Sequence, residues 1–363
     1  MATETVPLAP PIEERPGPIG WMKRNLFATP FDMVLTALIV LFLVWVVPPL
    51  LRWAVLDANF TATSREGCPP AAACWGIVRD RFHQYLFGLY PTDQYWRIFL
   101  GAALLVAGCV PLMLRNFPRK TLYGVAFVIV YPFVAAWLFG GGQLLEPVDT
   151  PLWGGLFLTL IIAIVGIVAS FPIGIALALG RRSNMPVIRA LCVAFIELVR
   201  GVPLVTVLFM ASVMLPLFFP PGWSIDKVMR ALIGVALFSG AYMAEVIRGG
   251  LQAIPKGQYE AADALGLGYW QKMRLIILPQ ALRLVIPGIV NSFISLFKDT
   301  SLVFIMGLYD LLGIARLITT SQDWLGHDIE SYIFAAFGFW IFCFAMSRYS
   351  QGLERRLARG HQR

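Results

Sequence analysis

The sequence predicts an all-α protein built as a polytopic membrane bundle of about eight transmembrane helices. Two observations lead to this fold class. Hydrophobic residues make up 58% of the 363 residues and charged residues only 14%, whereas soluble domains carry about 25% charged residues. The apolar residues are also gathered into runs of about twenty, which is the length of helix that crosses a bilayer. A soluble domain is therefore excluded.

Eight apolar runs supply the predicted spans. The runs without a charged residue lie at 33–51, 98–114, 121–145, 150–180, 201–225 and 331–347. Two further runs contain charged residues: Glu245 lies in 229–247, and Lys298 and Asp299 lie in 284–308. Charged residues at bilayer depth are costly and usually face a protein interior or a pathway. These residues are therefore candidates for a substrate path.

The basic residues lie in short clusters between the apolar runs, and they predict the orientation of the chain. A net charge of +8 could indicate nucleic-acid binding, but clusters of this kind are typical of membrane topology. The clusters on alternate connections are Lys23 with Arg24, Arg115 with Arg119 and Lys120, Arg181 with Arg182 and Arg189, 248–283, and 348–363. The positive-inside rule places them in the cytoplasm. Both termini are therefore predicted to be cytoplasmic.

Three regions follow from this topology. Residues 1–28 begin with a polar, proline-rich stretch that lacks the pattern of a cleavable signal peptide, and we expect a cytoplasmic tail there. Residues 29–148 form an N-terminal extension with three predicted spans and a periplasmic loop at 57–97. Residues 149–363 hold about five spans. This last region is the predicted transport core.

The predicted periplasmic loop contains Cys68 and Cys74. An oxidising periplasm would allow these residues to form a disulfide, and two free thiols are the alternative. The sequence leaves both open. The three histidines, His83, His327 and His361, fall on different segments. Because they form no cluster with the spacing of metal ligands, no metal site is predicted.

Small residues recur at every fourth position of the run 150–180, at Gly166, Ser170, Gly174 and Ala178. This spacing places them on one face of a helix, where they allow a neighbouring backbone to come close. We expect close helix packing on this face and attach no chemistry to it.

One polar stretch interrupts the second half of the chain, at 249–287. After a proline that the first turn of a helix tolerates, Tyr259, Ala262 and Leu265 recur at helical spacing, and Gly266 ends the helix. A helix of about two to three turns is too short to span a bilayer. The basic flanks place it in the cytoplasm. The stretch is therefore predicted to dock a cytoplasmic partner.

The same stretch resembles a known motif. It contains Glu260-Ala261-Ala262, then Gly266, then Ile277-Leu278-Pro279, an order that resembles the EAA loop of permease subunits of bacterial ABC importers. Further strings resemble the polar amino-acid uptake branch of that family, namely Gly240-Ala241-Tyr242, Arg248-Gly249-Gly250 and 298–302. The resemblance covers about residues 150–350. The long N-terminal extension resembles that of one permease subunit of general L-amino-acid importers.

The resemblance implies a type I ABC importer permease core with a cytoplasmic EAA coupling loop at 249–280. The residues that it assigns to coupling with the ATPase are Glu260, Ala261, Ala262, Leu265, Gly266 and Pro279. The implied partners are a second permease subunit, as a related chain in a heterodimer, two cytoplasmic ATPase subunits and a periplasmic amino-acid-binding protein. The sequence has no phosphate-binding P-loop. No cofactor is therefore expected in this chain, and ATP and Mg are expected on the partner subunits.

The residues 197–203 leave two interpretations open. Glu197 and Arg200 are three residues apart and share a helix face, which favours a structural ion pair near the edge of the membrane. Gly201 and Pro203 could instead break the helix and form a hinge.

Two further polar groups have competing interpretations. Glu245 follows Tyr242 by three residues, and it either forms a salt bridge with Arg248 or meets the ammonium group of a substrate. The second group is the cluster Lys298, Asp299, Thr300 and Ser301. This cluster offers a carboxylate and several donors, as a zwitterionic amino acid requires, but capping a helix or closing a gate between subunits would need the same residues.

These features predict the transmembrane permease subunit of an ABC transporter that imports L-amino acids across the inner membrane. An ion-coupled secondary amino-acid transporter is the alternative, because it would use the same buried charges. It would not need the cytoplasmic docking helix. An intramembrane enzyme is less favoured, since the sequence has no zinc-protease or serine-hydrolase motif.

Overall fold

The computed structural model describes residues 17–114, 117–220 and 225–359. The first part of the predicted tail, at 1–16, therefore lies outside the described residues. So do Arg115 in the second basic cluster, His361, and the positions 221–224.

The described chain is helical almost throughout, which confirms the all-α fold class. Its α-helices are α1 (Pro18–Leu26), α2 (Pro30–Leu51), α3 (Gly76–Asp80), α4 (Phe82–Phe87), α5 (Tyr95–Met113), α6 (Lys120–Gly140), α7 (Gly155–Arg181), α8 (Pro186–Gly201), α9 (Leu204–Val213), α10 (Lys227–Ala253), α11 (Lys256–Ala264), α12 (Tyr269–Lys272), α13 (Leu278–Leu284), α14 (Ile286–Asp299), α15 (Leu311–Thr319) and α16 (Asp328–Arg359). The 3₁₀ segment Thr300–Met306 continues α14, and Tyr309–Asp310 is a short strand, β1.

Among the described residues, seven helices are long and apolar enough to cross a membrane, and an eighth span results if the bent pair α8 and α9 is one span. This count agrees with the prediction of about eight. The predicted run 201–225 is wrong as a single helix, because α9 ends at Val213 and a 3₁₀ turn follows at Leu215–Phe218. At the start of the run, α8 ends at Gly201 and is bent by 105° from α9. Pro203 has no backbone N–H to continue α8, and Val202 before it is extended.

The described residues divide into two compact units, one formed by 17–62 and 66–75 and the other by 63–65, 76–114, 117–220 and 225–359. The prediction placed a division at residue 148, so the division by contacts falls at a different position. Residues 76–148 belong to the predicted N-terminal extension, yet they are part of the larger unit.

The smaller unit contains α1, α2 and the loop that follows them. Thr29 begins α2 with a capping box, in which its hydroxyl accepts from the backbone of Asp32 and its backbone donates to the Asp32 carboxylate. In the loop, Cys68 and Cys74 are joined by a disulfide. The indole of Trp75 then donates to the carbonyl of Ala54 at 2.7 Å. The end of the loop is therefore attached to the chain that leaves α2.

The core of the larger unit is the contact between α7 and α10. The small residues of α7, Gly166, Ser170, Gly174 and Ala178, are all buried. A Cβ at Gly174 would lie 2.6 Å from Cγ of Met243 on α10, so the glycine is required for this close approach. The predicted small face therefore packs α7 against α10.

A cap formed by α3 and α4 packs on α15 and α16. Trp324 is fully buried in it, and its indole donates to the carboxylate of Asp80 at 3.0 Å. Tyr85 is fully buried as well, and its hydroxyl lies 2.6 Å from that of Ser331, which donates to the carbonyl of Ala315. Burial raises the pKa of Tyr85 to about 12. The cap is therefore a closed, hydrogen-bonded part of the larger unit.

Candidate functional site

The predicted docking helix is α11, which begins after Pro255 and has nine residues. Leu265 is its C-cap, and Gly266 follows with a φ of +73°. The amide of Leu267 then donates to the carbonyl of Ala262 at 3.2 Å, which closes the turn. No atom lies within 4 Å of a Cβ built at Gly266. The backbone conformation, and not the available space, is therefore what requires glycine here.

Three neighbouring elements hold α11 in place. Arg182, just after α7, donates to the hydroxyl of Tyr259 at 3.1 Å and to the carbonyl of Leu251 at 2.9 Å. The Tyr259 hydroxyl itself donates to the same Leu251 carbonyl on α10 at 3.1 Å. The Arg182 guanidinium also lies 5.6 Å from the centre of the Tyr259 ring. Gln280 on α13 donates to Gln258 at 3.1 Å. A movement of α11 would therefore be transmitted to α7, α10 and α13 together.

The two faces of α11 differ in exposure. Ala262 is fully buried by its own chain, so its side chain cannot make the direct contact with the ATPase that the resemblance implies. Its neighbours bury it because it lies one turn after Tyr259, on the inner side of the helix. Glu260, Ala261 and Leu265 are exposed, and Pro279 at the start of α13 is exposed too. Gly266 is exposed as well, so Ala262 is the one predicted coupling residue that its own chain withholds from a partner.

Glu245 on α10 is the centre of a charged cluster. Its carboxylate lies 2.7 Å from Arg181 on α7, 2.7 Å from Arg248 on its own helix, and 3.6 Å from Arg200 on α8. The side chain of Glu245 is only 15% exposed. The salt bridge to Arg248 is therefore present, and it is one of three contacts that join α7, α8 and α10.

The predicted ion pair between Glu197 and Arg200 is wrong. Glu197 pairs with Arg181 at 3.2 Å, and Arg200 pairs with Glu245. Both residues lie on α8 at a spacing that would allow contact, but the helices that pack beside α8 bring charged groups to each of them. The bend between α8 and α9 falls at the predicted hinge residues Gly201 and Pro203.

A cavity of about 720 Å³ lies among α7, α8, α9, α10 and α14. Its size is that of small-molecule sites, which are about 300–1,000 Å³. Its polar lining residues are Ser170, Arg200, Ser239, Tyr242, Asn291, Ser292, Ser295 and Asp299. The Arg200 guanidinium also lies 5.4 Å from the centre of the Tyr242 ring. The cavity thus offers one cation, one carboxylate and several neutral hydrogen-bonding groups.

The structure separates the predicted substrate-path residues into two groups. Tyr242 and Asp299 line the cavity, whereas Glu245, Lys298, Thr300 and Ser301 are not among its lining residues. Thr300 donates to the carbonyl of Phe297 at 2.7 Å, and Ser301 donates to that of Lys298 at 2.9 Å. Their hydroxyls therefore bond to carbonyls at the end of α14, in agreement with the helix-capping alternative. Lys298 is exposed.

Several lining residues were not predicted. Ser292 and Ser295 on α14 and Ser239 on α10 are polar residues within apolar spans, at helical spacing from Asp299 and Tyr242. That helical spacing is the feature of the sequence from which these lining residues could be predicted. The sequence predicts Ser170 only as a packing residue, because its small size alone accounts for its position on α7. Within the described ranges, no group of three metal-ligating side chains that could hold a metal ion is found.

Comparison with known proteins identifies the family. Residues 170–359 match the family described as the binding-protein-dependent transport system inner membrane component. The chain belongs to this family. The prediction of an ABC importer permease subunit is therefore confirmed, and the ion-coupled secondary transporter is not supported.

Two relatives of this permease subunit are similar over nearly the whole chain. The inner membrane amino-acid ABC transporter permease protein YhdY of Escherichia coli K12 is 54% identical over 94% of this chain and 93% of its own. The glutamate/glutamine/aspartate/asparagine transport system permease protein BztC of Rhodobacter capsulatus is 41% identical over 100% of this chain and 99% of its own. The N-terminal extension is therefore shared with both.

A solved structure supports the fold of the core. The crystal structure of an amino acid ABC transporter with histidines is 28% identical in sequence, with a TM-score of 0.50. It covers 63% of this chain and 98% of the matched chain. The structural likeness therefore extends over about two thirds of this chain and nearly the whole of the matched one.

Proposed function

We propose that this permease subunit imports L-amino acids, and that they pass through the cavity among α7, α8, α9, α10 and α14. The observation that carries the proposal is the lining, which combines the guanidinium of Arg200 with the carboxylate of Asp299. A zwitterionic amino acid needs a cation for its carboxylate and a carboxylate for its ammonium group. The names of the relatives from Escherichia coli and Rhodobacter capsulatus support this class of substrate.

The test of the cavity compares two neighbouring residues of α14. Asp299→Asn removes the carboxylate that lines the cavity, and Lys298→Gln removes an exposed charge next to it. A charge-assisted hydrogen bond is worth enough that we expect amino-acid uptake to fall by about tenfold or more in Asp299→Asn. Uptake in Lys298→Gln should stay near wild type, with equal amounts of both proteins in the membrane. Equal uptake in the two variants would contradict the role of the cavity.

We infer that the energy for import comes from ATP, bound with Mg on two cytoplasmic ATPase subunits. The exposed residues Glu260, Ala261 and Leu265 of α11, with Pro279, would form the contact. A second, related permease subunit and a periplasmic amino-acid-binding protein complete the proposed complex. Purification of the tagged chain from its native membrane, followed by mass spectrometry, should recover the ATPase and the second permease. Recovery of this chain alone, with uptake that an ionophore abolishes and ATP depletion does not, would contradict the proposal.

The proposed complex requires a defined orientation in the inner membrane. The basic clusters support cytoplasmic termini and a cytoplasmic α11. A single cysteine placed at Gln258 should be protected from an impermeant thiol reagent in cells whose outer membrane is permeabilised, and a cysteine at Pro147 should react. Labelling of the cysteine at position 258 while the inner membrane is intact would contradict the cytoplasmic placement of α11.

A further inference from the structure

The contact between α5 and α6 leaves an apolar groove at the surface of the larger unit. The ring of Phe127 on α6 occupies the space beside Gly108 on α5, where an added Cβ would lie 2.0 Å from it. The hydroxyls of Tyr123 and Tyr131 each donate at 3.1 Å to a carbonyl of α5, those of Gly108 and Gly101. The hydroxyls of both tyrosines therefore have hydrogen-bond partners within the protein. Their ring faces are left as apolar surface.

These rings line one side of a groove of about 300 Å³. Tyr123, Phe127 and Tyr131 follow one another at intervals of four residues, with ring centres 6.2 Å and 5.3 Å apart. Leu104 on α5, with Ala126, Val130 and Val134 on α6, completes the lining. Leu104 is 40% exposed and Val130 is 55% exposed. Both helices are candidate spans, so the open side of the groove faces the hydrocarbon region of the membrane.

The length of the groove corresponds to one leaflet. It follows α6 from Tyr123 to Val134, a distance of about 16 Å at the rise of an α-helix. The hydrocarbon core of a bilayer is about 30 Å thick, so the groove extends through about half of it. A single acyl chain from one leaflet could therefore occupy it.

A pair of basic residues lies at the end of the groove nearest Tyr123. Lys120 is the first residue of α6, one turn before Tyr123, and Arg119 precedes it. Arg119 is exposed and Lys120 is half-buried. Within the part of the chain that the structure describes, the salt bridges do not include either residue. Two cations without an ion-pair partner at the end of a membrane helix fit the phosphate of a lipid headgroup.

We propose that the groove between α5 and α6 binds one anionic phospholipid. Its acyl chain lies along Tyr123, Phe127 and Tyr131, and its phosphate contacts Arg119 and Lys120. The charge of the basic pair favours an anionic headgroup over a zwitterionic one, and the apolar lining favours an acyl chain over any polar segment. This site is separate from the cavity that is proposed for the substrate, since the two share no lining residue.

The experiment measures phospholipid retained by the purified complex after detergent exchange, with phosphatidylglycerol and phosphatidylcholine as the added probes. Wild-type protein should retain phosphatidylglycerol in preference to phosphatidylcholine by about tenfold, because two basic residues act on the headgroup. The double variant Arg119→Gln with Lys120→Gln should lose this preference. Val130→Trp, which fills the groove, should lower retention of both lipids.

Matched controls separate the site from the general surface. Val128→Trp places the same indole on α6 at an exposed position that does not line the groove. Lys23→Gln with Arg24→Gln removes a basic pair at another helix end. Both controls should retain phosphatidylglycerol as wild type does.

A photoreactive benzoylphenylalanine in place of Val130 identifies the occupant directly. We expect it to cross-link to phospholipid in native membranes. A protein adduct at this position would show that another helix fills the groove and would overturn the proposal. Equal retention of the two lipids by wild type would overturn it as well.

Discussion

The carboxylate of Glu245 joins three helices, because it contacts arginines from each of them. Three guanidinium groups, from Arg181, Arg200 and Arg248, lie within 4 Å of it. Without the carboxylate these groups would repel one another in a partly buried site. Removing one partner of a buried ionic network usually lowers the free energy of unfolding by more than the intact network contributes to it, because the remaining charges stay desolvated.

We predict that Glu245→Gln lowers the free energy of unfolding by about 3 kcal/mol. Glu197→Gln is the matched control, because Glu197 makes one contact to Arg181 and its side chain is 61% exposed. Its loss should cost less than about 1 kcal/mol. Thermal unfolding of the purified protein in detergent measures both. Similar unfolding temperatures for the two variants would show that Glu245 has no special structural role.

Asp310 is a buried carboxylate that lies outside the spans, between α14 and α15. Its Oδ1 accepts from the amide of Gly313 at 2.9 Å and so caps α15. Its Oδ2 is buried and has no hydrogen-bond partner among the described residues. Burial raises the pKa of Asp310 from 3.8 to about 6, although the Gly313 amide acts in the opposite direction.

The raised pKa of Asp310 determines whether the stability of the protein rises or falls with pH. Between about pH 4 and pH 6 the folded protein keeps a proton at this site that the unfolded chain releases, so this site's contribution to stability is lost as pH rises through that window. Asp310→Asn keeps the Oδ1 acceptor and has no charge to bury. We expect its stability relative to wild type to increase by about 3 kcal/mol from pH 4 to pH 7.

Chemical denaturation at several pH values measures this difference. Asp149→Asn, at an exposed position, is the control and should show no such trend. A constant difference between Asp310→Asn and wild type across the range would mean that the carboxylate does not titrate there.

At the scale of a single element, α11 has an inner and an outer face with different tasks. Ala262 is fully buried and Ala261 is exposed, so the same substitution at adjacent positions tests the two faces separately. Arg182 and Gln280 attach the inner side to the rest of the chain. The helix α11 can transmit a force from a partner to the rest of the chain only while its inner face stays packed against α7, α10 and α13.

We predict that Ala262→Trp prevents α11 from seating, because a buried methyl group leaves no space for an indole. Protease sensitivity within 249–280 should rise in this variant even without partner subunits. Ala261→Trp should leave that sensitivity unchanged and should reduce co-purification of the ATPase. If Ala261→Trp alone exposed the segment to protease, the assignment of the two faces would be reversed.

At the scale of the whole molecule, the larger unit includes part of the N-terminal extension. The cap of α3 and α4 is joined to the loop before α16 by Trp324 and by a salt bridge from Arg81 to Asp323 at 2.8 Å. These contacts connect residues more than 200 positions apart in the sequence. The cap should therefore unfold together with the permease core and not before it.

Trp324→Ala tests this cooperativity. The indole is fully buried, and we expect its removal to lower the free energy of unfolding by about 4 kcal/mol and to expose α3 and α4 to protease. Trp340→Ala is the control, because the Trp340 side chain is 54% exposed. It should leave stability and cleavage near wild type. Cleavage of the cap at the same rate in both variants would mean that the cap is not joined to the core in this way.

The sequence by itself determined the features that depend on neighbouring residues. Apolar runs of about twenty residues define spans because every backbone group in lipid must bond within its own helix. The bounds of α11 followed from a proline at its start and Gly266 at its end, since both act through their own backbone angles. The small residues of α7 likewise predicted a close contact, although not its partner.

Only the tertiary structure decided which side chains meet across helices. The pattern of α8 favoured a pair of Glu197 with Arg200, but Arg181 and Glu245 arrive from other helices and take both residues as partners. The cavity is assembled from helices that are distant in the chain, and the exposure of α11 depends on what packs beneath Ala262. Helical periodicity shows that residues share a face, whereas the choice of what that face contacts depends on the packing of the whole bundle.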